Sequence, residues 1–597
     1  MNVRERLAAL RRLMKKYKVH AYLVPSTDPH QSEYVPEFWR RREWISGFTG
    51  SAGDVIITER KAALWTDGRY FLQADAQLAG SGIKLMKLGL PETPGMTMWL
   101  SKTLKRGNRV GVDPRVLSVA AYQKLRQELD DFGLILVGIE DNLIDPVWLD
   151  RMPAPDGVAQ VHPLRYSGES VTVKLRKLRR AMKDGGALGH VVAALDQIAW
   201  LFNVRGSDVQ HNPVVIAYAI VTHRSAMLFV DRRKISPEVR RALGTSVQIR
   251  DYSQFGSALQ RAAKSGSPWW IDGGTTNQWI ANSLRSRGKI QFKPSPITPL
   301  KAAKNAAELR GARAAHVRDG VAMVRFLHWL ENAVGREPVT EITAAEELEG
   351  FRSRSKLFRG LSFDTIAGYA AHGAIIHYSA TPETDVRLRK RGLLVLDSGA
   401  QYIDGTTDIT RTIALGRPTR EQKEHFTRVL KGHIHLATAS FPVGTSGKQL
   451  DTLARKALWD VGLDYGHGTG HGVGSYLSVH EGPQSISPTR DTGAPLVPGM
   501  ICSNEPGFYK AGEYGIRIEN LVYIVPDKER SQKGRKFLAF ENLTLCPIDR
   551  NLIDTKLLTP AELRYLNSYH SRVRRTLTRF LSRKEAAWLA KATRPIK

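Results

Sequence analysis

Asp, His and Glu residues concentrate among glycines between His377 and Glu519. Asp397 ends the apolar run Leu393-Leu-Val-Leu396 and meets Ser398-Gly399, while Asp408 precedes Ile409-Thr-Arg411. Asp404-Gly405 between two short strands reads as a hairpin. With that dipeptide as the two-residue turn, position 408 lies opposite 401, on the face that 397 shares. Both carboxylates then face one way but stand too far apart to bridge a metal pair, so convergence calls for a longer or bulged connection. On these residues alone, one turn Asp and one surface Asp explain the pattern equally well.

The stretch Tyr465-Gly-His467-Gly-Thr-Gly-His471-Gly-Val-Gly474 carries two His four residues apart, and His480 follows. Five glycines among nine residues, each costing about 1 kcal/mol relative to Ala, argue against a helix. A loop whose backbone closely approaches something else is expected. Glu505 sits in the turn Asn504-Glu-Pro-Gly507. Alternation in Gly515-Ile-Arg-Ile-Glu-Asn520 reads as a strand with Arg517 and Glu519 on one face; a surface cross-face pair would look the same. Together, four carboxylates and an imidazole suit two divalent cations, whose charge the carboxylates cancel. Oxygen-rich coordination with one imidazole favours Mn2+, with Co2+, Fe2+ or Zn2+ as competitors. Such a pair would polarise a carbonyl and activate a water.

Other chemistries are excluded. Pro442 stands where a phosphate-binding loop ending in Gly447-Lys448 needs Gly. Thr49 occupies the first Gly position of a nucleophile elbow around Ser51. His480-Glu481 is followed by Gly-Pro, so no His-Glu-x-x-His site exists there. Cys502 and Cys546 are the only cysteines, which leaves no disulfide framework and fits a reducing cytoplasm.

The elements that must position these residues repeat early in the chain. His20–Asp28 followed by Trp44–Ser51 resembles His190–Asp196 followed by Trp200–Ser207: apolar strand, acidic residue, Trp-led segment, Gly-Ser turn. Further strands are expected at Asp54–Thr58 and Ala62–Thr66, and again at Val214–Val221 and Ala226–Asp231. This reads as one α/β fold used twice. Pro153–Gly168 looks like a linker, and prolines 294, 296 and 299 mark a second break. A long helix from Asn305 to Val334 follows, with Val317, Val321, Val324 and Leu327 on one face. Alternating strands and helices run to about Asp549, and the last fifty residues read as helical and basic.

The 597 residues carry 88 Lys and Arg against 58 Asp and Glu, a charge of +30. No apolar run reaches the roughly 18 residues of a membrane span, and Met1–Leu13 lacks a secretory apolar core. Two local excesses, at Met1–His20 and Ala561–Lys597, keep helical apolar spacing (Leu7, Leu10, Met14, Tyr17), so they read as solvated helix faces. Without a nucleic-acid-binding signature, no nucleic-acid partner is expected.

Taken together, these motifs resemble the Xaa-Pro aminopeptidases (aminopeptidase P) of the long three-domain cytosolic type. The wider group is the pita-bread metallopeptidases, with prolidase, methionine aminopeptidase and creatinase. Pro25–Asp28, Gly47–Gly53 and Trp65–Tyr70 are similar to its first domain, and Leu201–Asp208 to its second. Leu396–Tyr402, Asp404–Arg411, His467–Gly474, Asn504–Gly507 and Gly515–Asn520 are similar to its catalytic domain, and Phe540–Leu545 and Tyr565–His570 to its tail. The resemblance implies a mixed α/β and α+β chain. Two creatinase-type α/β domains, 1–160 and 161–303, would precede a pita-bread catalytic domain, 304–545, and a helical extension, 546–597.

It further implies that Asp397, Asp408, His471, Glu505 and Glu519 hold two divalent metals, which activate a hydroxide. Glu505 would also manage that nucleophile's proton. His377 would hydrogen-bond the scissile group or oxyanion, and His480 the substrate backbone or leaving imide nitrogen. His467, Val479 and Tyr509 would line a proline pocket, and Arg517 would orient an Asp ligand. The substrates would be peptides with proline second, cut before that proline by a cytoplasmic enzyme, expected as a homodimer with no membrane contact. One departure stands out: the family has Asn where this chain has His372, in the segment leading to His377. Two alternatives remain, a prolidase acting on Xaa-Pro dipeptides and an inactive binding module of the same fold. Retention of all five ligand types weighs against the latter, since unneutralised carboxylates repel one another.

Overall fold

The computed structural model describes residues 1–262, 268–285, 288–489, 493–532 and 534–597. The chain divides into two compact units, Met1–His162 with Glu169–Ile297, and Pro163–Gly168 with Thr298–Lys597.

The first unit contains two six-stranded sheets of identical plan. One runs in the order Lys84–Lys87, Ala62–Thr66, Asp54–Thr58, Ala21–Val24, Arg109–Val112, Ile135–Gly138. The other runs Gln248–Arg250, Ala226–Val230, Ala217–Thr222, Gly189–Val192, Trp269–Ile271, Ile290–Phe292. In each, the third strand pairs antiparallel with both neighbours and every other pairing is parallel. The repeated α/β plan expected from the sequence is therefore present. The strand expected from Val214 starts only at Ala217, because Asp208 captures the preceding residues: its N–H donates to Val214 O and its carboxylate accepts from Ile216 N. The expected linker Pro153–Gly168 is partly structured. Gln160–Val161 pairs with Val204–Arg205, and Leu164–Ser167 is a short helix whose end is held by Asn305 Nδ2 on Ser167 O.

The second unit begins its core with the helix Ala306–Ala333, capped by Asn305, whose side chain accepts from Ala307 N and Glu308 N. The helical spacing predicts this element to within a residue. Val321, Val324 and Leu327 are buried on its core face, each contributing about 1.5–3 kcal/mol. A six-stranded antiparallel sheet runs Ser440–Pro442, Arg535–Asn542, Asn520–Gln532, Ile501–Asn504, Gly470–Gly472, Glu481–Ile486. A three-stranded sheet places Leu393–Ser398 between Ile366–Tyr369 and Ile409–Ala414. The helix Pro560–Leu577, which precedes the last helix Arg583–Ala592, buries Leu566, Tyr569, Val573 and Leu577 in one cluster with Phe426, Val429 and Leu430 of helix Arg420–Ala437. The basic N-terminal helix Val3–Lys16 buries Leu7, Leu10 and Met14 and exposes Arg4, Arg12, Lys15 and Lys16, the solvated face its spacing predicts.

Candidate metal centre

The hairpin carrying Asp397 and Asp408 turns one residue earlier than the sequence suggests. Gln401 pairs with Thr406 and Tyr402 with Gly405, so Ile403-Asp404 forms the turn rather than Asp404-Gly405. Further along the same register, Ser398 pairs with Ile409 and Asp397 with Thr410. Position 408 thus falls opposite Gly399, not 401, and Asp408 becomes a same-face diagonal neighbour of Asp397. No bulge or longer connection is needed. Gly399 is demanded by close approach: a Cβ there would lie 2.1 Å from both Ser362 Oγ and Thr407 O. Asp404 is also taken, by Arg318.

His471 lies on the short strand Gly470–Gly472 rather than in a loop, wedged between Glu481–Ile486 and Ile501–Asn504. The glycines permit this, since a Cβ on Gly470 would sit 2.0 Å from Ser503 O. His471 Nε2 lies 3.5 Å from Asp408 Oδ2 and 3.5 Å from Glu505 Oε1, while Nδ1 faces Gly472 O at 3.0 Å. Glu505 follows the strand Ile501–Asn504 and accepts from Ser503 Oγ at 3.1 Å. Glu519 bridges the strands Tyr514–Arg517 and Asn520–Gln532; its N–H donates to Thr410 O and its Oε2 accepts from Thr410 Oγ1 at 2.8 Å. Atoms of Asp408, His471 and Glu519 suited to ligation lie within 4.8 Å of one another. Arg517 and Glu519 are 2 % exposed, so the surface-pair alternative is discarded.

Electrostatically this is an acidic cluster held out of water. Burial raises the Asp397 carboxyl, with Arg517 opposing and Asp408 reinforcing the rise. Burial likewise raises Glu505 against the pull of His471 and Arg517. Glu519 is raised well above the carboxylate range by burial and by its three acidic neighbours. Burial disfavours the His471 imidazolium, but Asp408 and Glu505 outweigh it and lift the ring to about 9. Asp397 Oδ1 and Glu519 Oε1 are buried oxygens without a hydrogen-bond partner among the described residues. Orphaned oxygens in such a cluster suit divalent cations, which would satisfy them and cancel the repulsion.

Arg517 joins the cluster to an aromatic side of the site. Its Nη2 and Nε donate to Asp397 Oδ2 at 2.6 and 3.1 Å, and its Nη1 to Tyr509 OH at 2.7 Å. Tyr509 OH lies 2.9 Å from His467 Nε2. Having accepted from Arg517, that hydroxyl donates to His467, whose Nδ1–H then faces Gly468 O at 2.8 Å. His467 and Tyr509 thus form one wall, while Val479 is fully buried. The His480 ring packs edge-on against His471, centroids 4.3 Å apart. His377 is half-buried, and the preceding Ile376 O accepts from Arg517 Nη2 at 3.3 Å.

Three supports escaped the sequence reading. Glu341, fully buried, accepts from Tyr378 OH (2.8 Å), Tyr369 N (2.7 Å) and His372 Nδ1 (3.0 Å). The His372 ring also stacks on Tyr378. His372 therefore anchors the segment leading to His377. Glu481, next to His480, is gripped by buried Lys301 and Lys304. His433 and Asn504 exchange bonds, ring Nδ1 to Asn504 O and Asn504 Nδ2 to His433 O, behind Glu505. Such partners are scattered through the chain, so no local spacing announces them. Glu341→Ala would take the acceptor from Tyr369 N and His372 Nδ1 and leave Tyr378 OH only Thr384, at 3.3 Å, at about 1–3 kcal/mol for each donor left unsatisfied. The expected result is a fall of several degrees in melting temperature, larger than for His372→Ala; equal falls would show that Tyr378 and Tyr369 draw nothing from the carboxylate.

Comparison with known proteins adds independent findings. A model of metallopeptidase family M24 matches residues 310–526, and one of the C-terminal region of that peptidase matches 536–596. Creatinase/prolidase N-terminal domain models match 6–141 and 150–308. The probable Xaa-Pro aminopeptidase P of Aspergillus clavatus is 43% identical, covering 100% of this chain and 93% of the relative. Aminopeptidase P2 of Arabidopsis thaliana is 43% identical, covering 100% and 89%. The crystal structure of the X-prolyl aminopeptidase of Caenorhabditis elegans, described as a cytosolic enzyme with a di-nuclear active site, superposes with TM-score 0.95 at 38% identity over 100% of both chains.

Proposed function

Because the chain belongs to the Xaa-Pro aminopeptidases of metallopeptidase family M24, we propose that it removes the N-terminal residue of peptides whose second residue is proline. The observation that carries this reading is the convergence of Asp408, His471 and Glu519 within 4.8 Å, flanked by Asp397 and Glu505. These five residues would hold two divalent cations in a pita-bread catalytic domain. Four carboxylates to one imidazole favour Mn2+. When bound, the cations would polarise the scissile carbonyl and acidify a water.

The remaining work falls to the chain. Glu505 takes the proton of the attacking water and returns it toward the leaving imide nitrogen. His377 donates to the oxygen on which charge develops, and His480 holds the substrate backbone or the leaving nitrogen. Arg517 fixes Asp397 by two donors to one oxygen, leaving Oδ1 free to ligate. Tyr509 and His467, locked to each other and to Arg517, offer the proline ring a rigid wall, whereas Val479, wholly buried, exposes no surface to it. Both cysteines are free and buried, which agrees with a cytoplasmic setting, and no described helix is long and apolar enough to cross a membrane. A homodimer is the expected assembly, checked by light scattering.

Substrate length separates an aminopeptidase from a prolidase. We expect cleavage of Xaa-Pro-Yaa tripeptides and longer peptides, including Xaa-Pro-Pro, with weak turnover of Xaa-Pro dipeptides. Replacing the proline by Ala should cost about 10–200-fold in kcat/KM, the usual worth of lost pocket burial. A preference for dipeptides over matched longer peptides would favour the prolidase reading, and equal rates on Xaa-Ala peptides would refute proline specificity.

A further inference from the structure

Arg411 is 2 % exposed and makes no ion pair among the described residues. Strand alternation turns it away from the face that carries Asp408 and Thr410. Its guanidinium is nonetheless fully engaged. Nε donates to Pro547 O at 2.9 Å, and Nη1 to Thr410 O at 2.9 Å and Glu519 O at 2.6 Å. Nη2 donates to Asn520 Oδ1 at 2.8 Å, Cys546 O at 2.9 Å and Tyr569 OH at 3.0 Å. These acceptors fall in two groups. Thr410 and Asn520 lie on strands that present the site and Glu519 joins two of them: Thr410 Oγ1 holds Glu519 Oε2, and Asp408 lies two residues before Thr410. Cys546, Pro547 and Tyr569 belong to the C-terminal part of the chain.

The second group is itself locked. Tyr569 OH, on helix Pro560–Leu577, accepts from Cys546 N at 3.3 Å and lies 3.1 Å from Thr544 O and Cys546 O. The next residue, His570, accepts Ile548 N on Nε2 at 3.1 Å. Residues 544–548 are thus clamped between the helix Pro560–Leu577 and Arg411, and Arg411 grips the backbone of Glu519. A buried cation without a counter-ion is costly. Carbonyl and hydroxyl acceptors here meet that cost, and their directions leave the planar group one orientation. Lys, a point charge with three donors, could not span both groups.

We infer that Arg411 is a positioning residue that makes the helix Pro560–Leu577 part of the support of the metal centre. The inference rests on the reading that Asp408 and Glu519 are ligands. It predicts that cation affinity depends on residues that touch neither cation nor substrate, by the 10–100-fold typical of groups that orient ligands from behind.

The test is Mn2+ titration of chelator-stripped protein by calorimetry, with thermal unfolding alongside. Arg411→Lys should weaken Mn2+ binding by about 10–100-fold, and Tyr569→Phe should weaken it several-fold in the same direction. Leu538→Ala, a cavity variant in a separate apolar cluster of the same unit, should lower the melting temperature while leaving Mn2+ affinity unchanged. Should Arg411→Lys fail to fold, Tyr569→Phe alone decides. Wild-type binding of Mn2+ with unchanged affinity in the Arg411 and Tyr569 variants overturns the inference alone, as does an equal affinity loss in Leu538→Ala. Absence of Mn2+ binding by the wild type overturns the underlying reading of the site as well.

Discussion

Stripping divalent cations with a chelator is expected to abolish hydrolysis, and Mn2+ to restore it. The same treatment should lower the melting temperature. A cation bound only by the folded state stabilises it by linkage, and its removal leaves Asp397, Asp408, Glu505 and Glu519 facing one another. The pH dependence follows from the titration of these groups. Asp397, Glu505 and Glu519 are raised above their ordinary values in the fold, so over that window the folded metal-free protein binds more protons than the unfolded chain. Its stability then falls as pH rises. His471, raised to about 9, acts in the same sense: its contribution is complete below about 6.5 and is lost as pH passes about 9. Cation binding requires the deprotonated forms and strengthens over the same range. The gap in melting temperature between Mn2+-loaded and chelated protein should therefore widen from pH 6 to pH 8. Activity that survives verified removal of metal would sink the two-metal mechanism, and a gap that narrows with pH would reverse the assigned protonation.

Glu505→Gln should lower kcat by about 10²–10⁴, the usual range for losing a general acid–base group, and move KM by only a few-fold. The substitution keeps the side-chain shape and the Ser503 hydrogen-bond partner, and leaves His467, Val479 and Tyr509 untouched. It removes one ligand charge and the proton acceptor together, so Mn2+ content must be measured on the same sample. Full cation occupancy with lost kcat assigns the defect to proton transfer; normal kcat with a raised KM would refute the assignment. His377→Ala and His480→Ala should also act mainly on kcat. Either variant changing KM alone would move that residue to ground-state binding.

Much of this was legible in the residues. The α/β unit used twice could be read because apolar strand, Trp-led segment and Gly-Ser turn recur in one order, and each copy builds the same sheet. The helix Ala306–Ala333 could be read because its cap and its apolar period both lie in contiguous sequence. The identity of the five proposed ligands came from motif resemblance, which is chemical and local.

Tertiary structure alone decided the rest. It moved the hairpin turn to Ile403-Asp404, because Gly399 must pass within contact of Ser362 and Thr407 and Asp404 is held by Arg318. That one-residue change brings Asp408 beside Asp397, since strand register is set by what the strands pack against. It buried Arg517 and Glu519, whose alternation alone fitted a surface pair. It also recruited Glu341, Lys304, His433, Arg411 and Tyr569 as supports. Arg411 and Tyr569 lie 158 residues apart, and Thr410 and Glu519 lie 109 apart. Sequence determines the chemistry a short segment can perform; which distant donor meets which buried acceptor is settled only when the chain closes and each polar group shut away from water must find a partner.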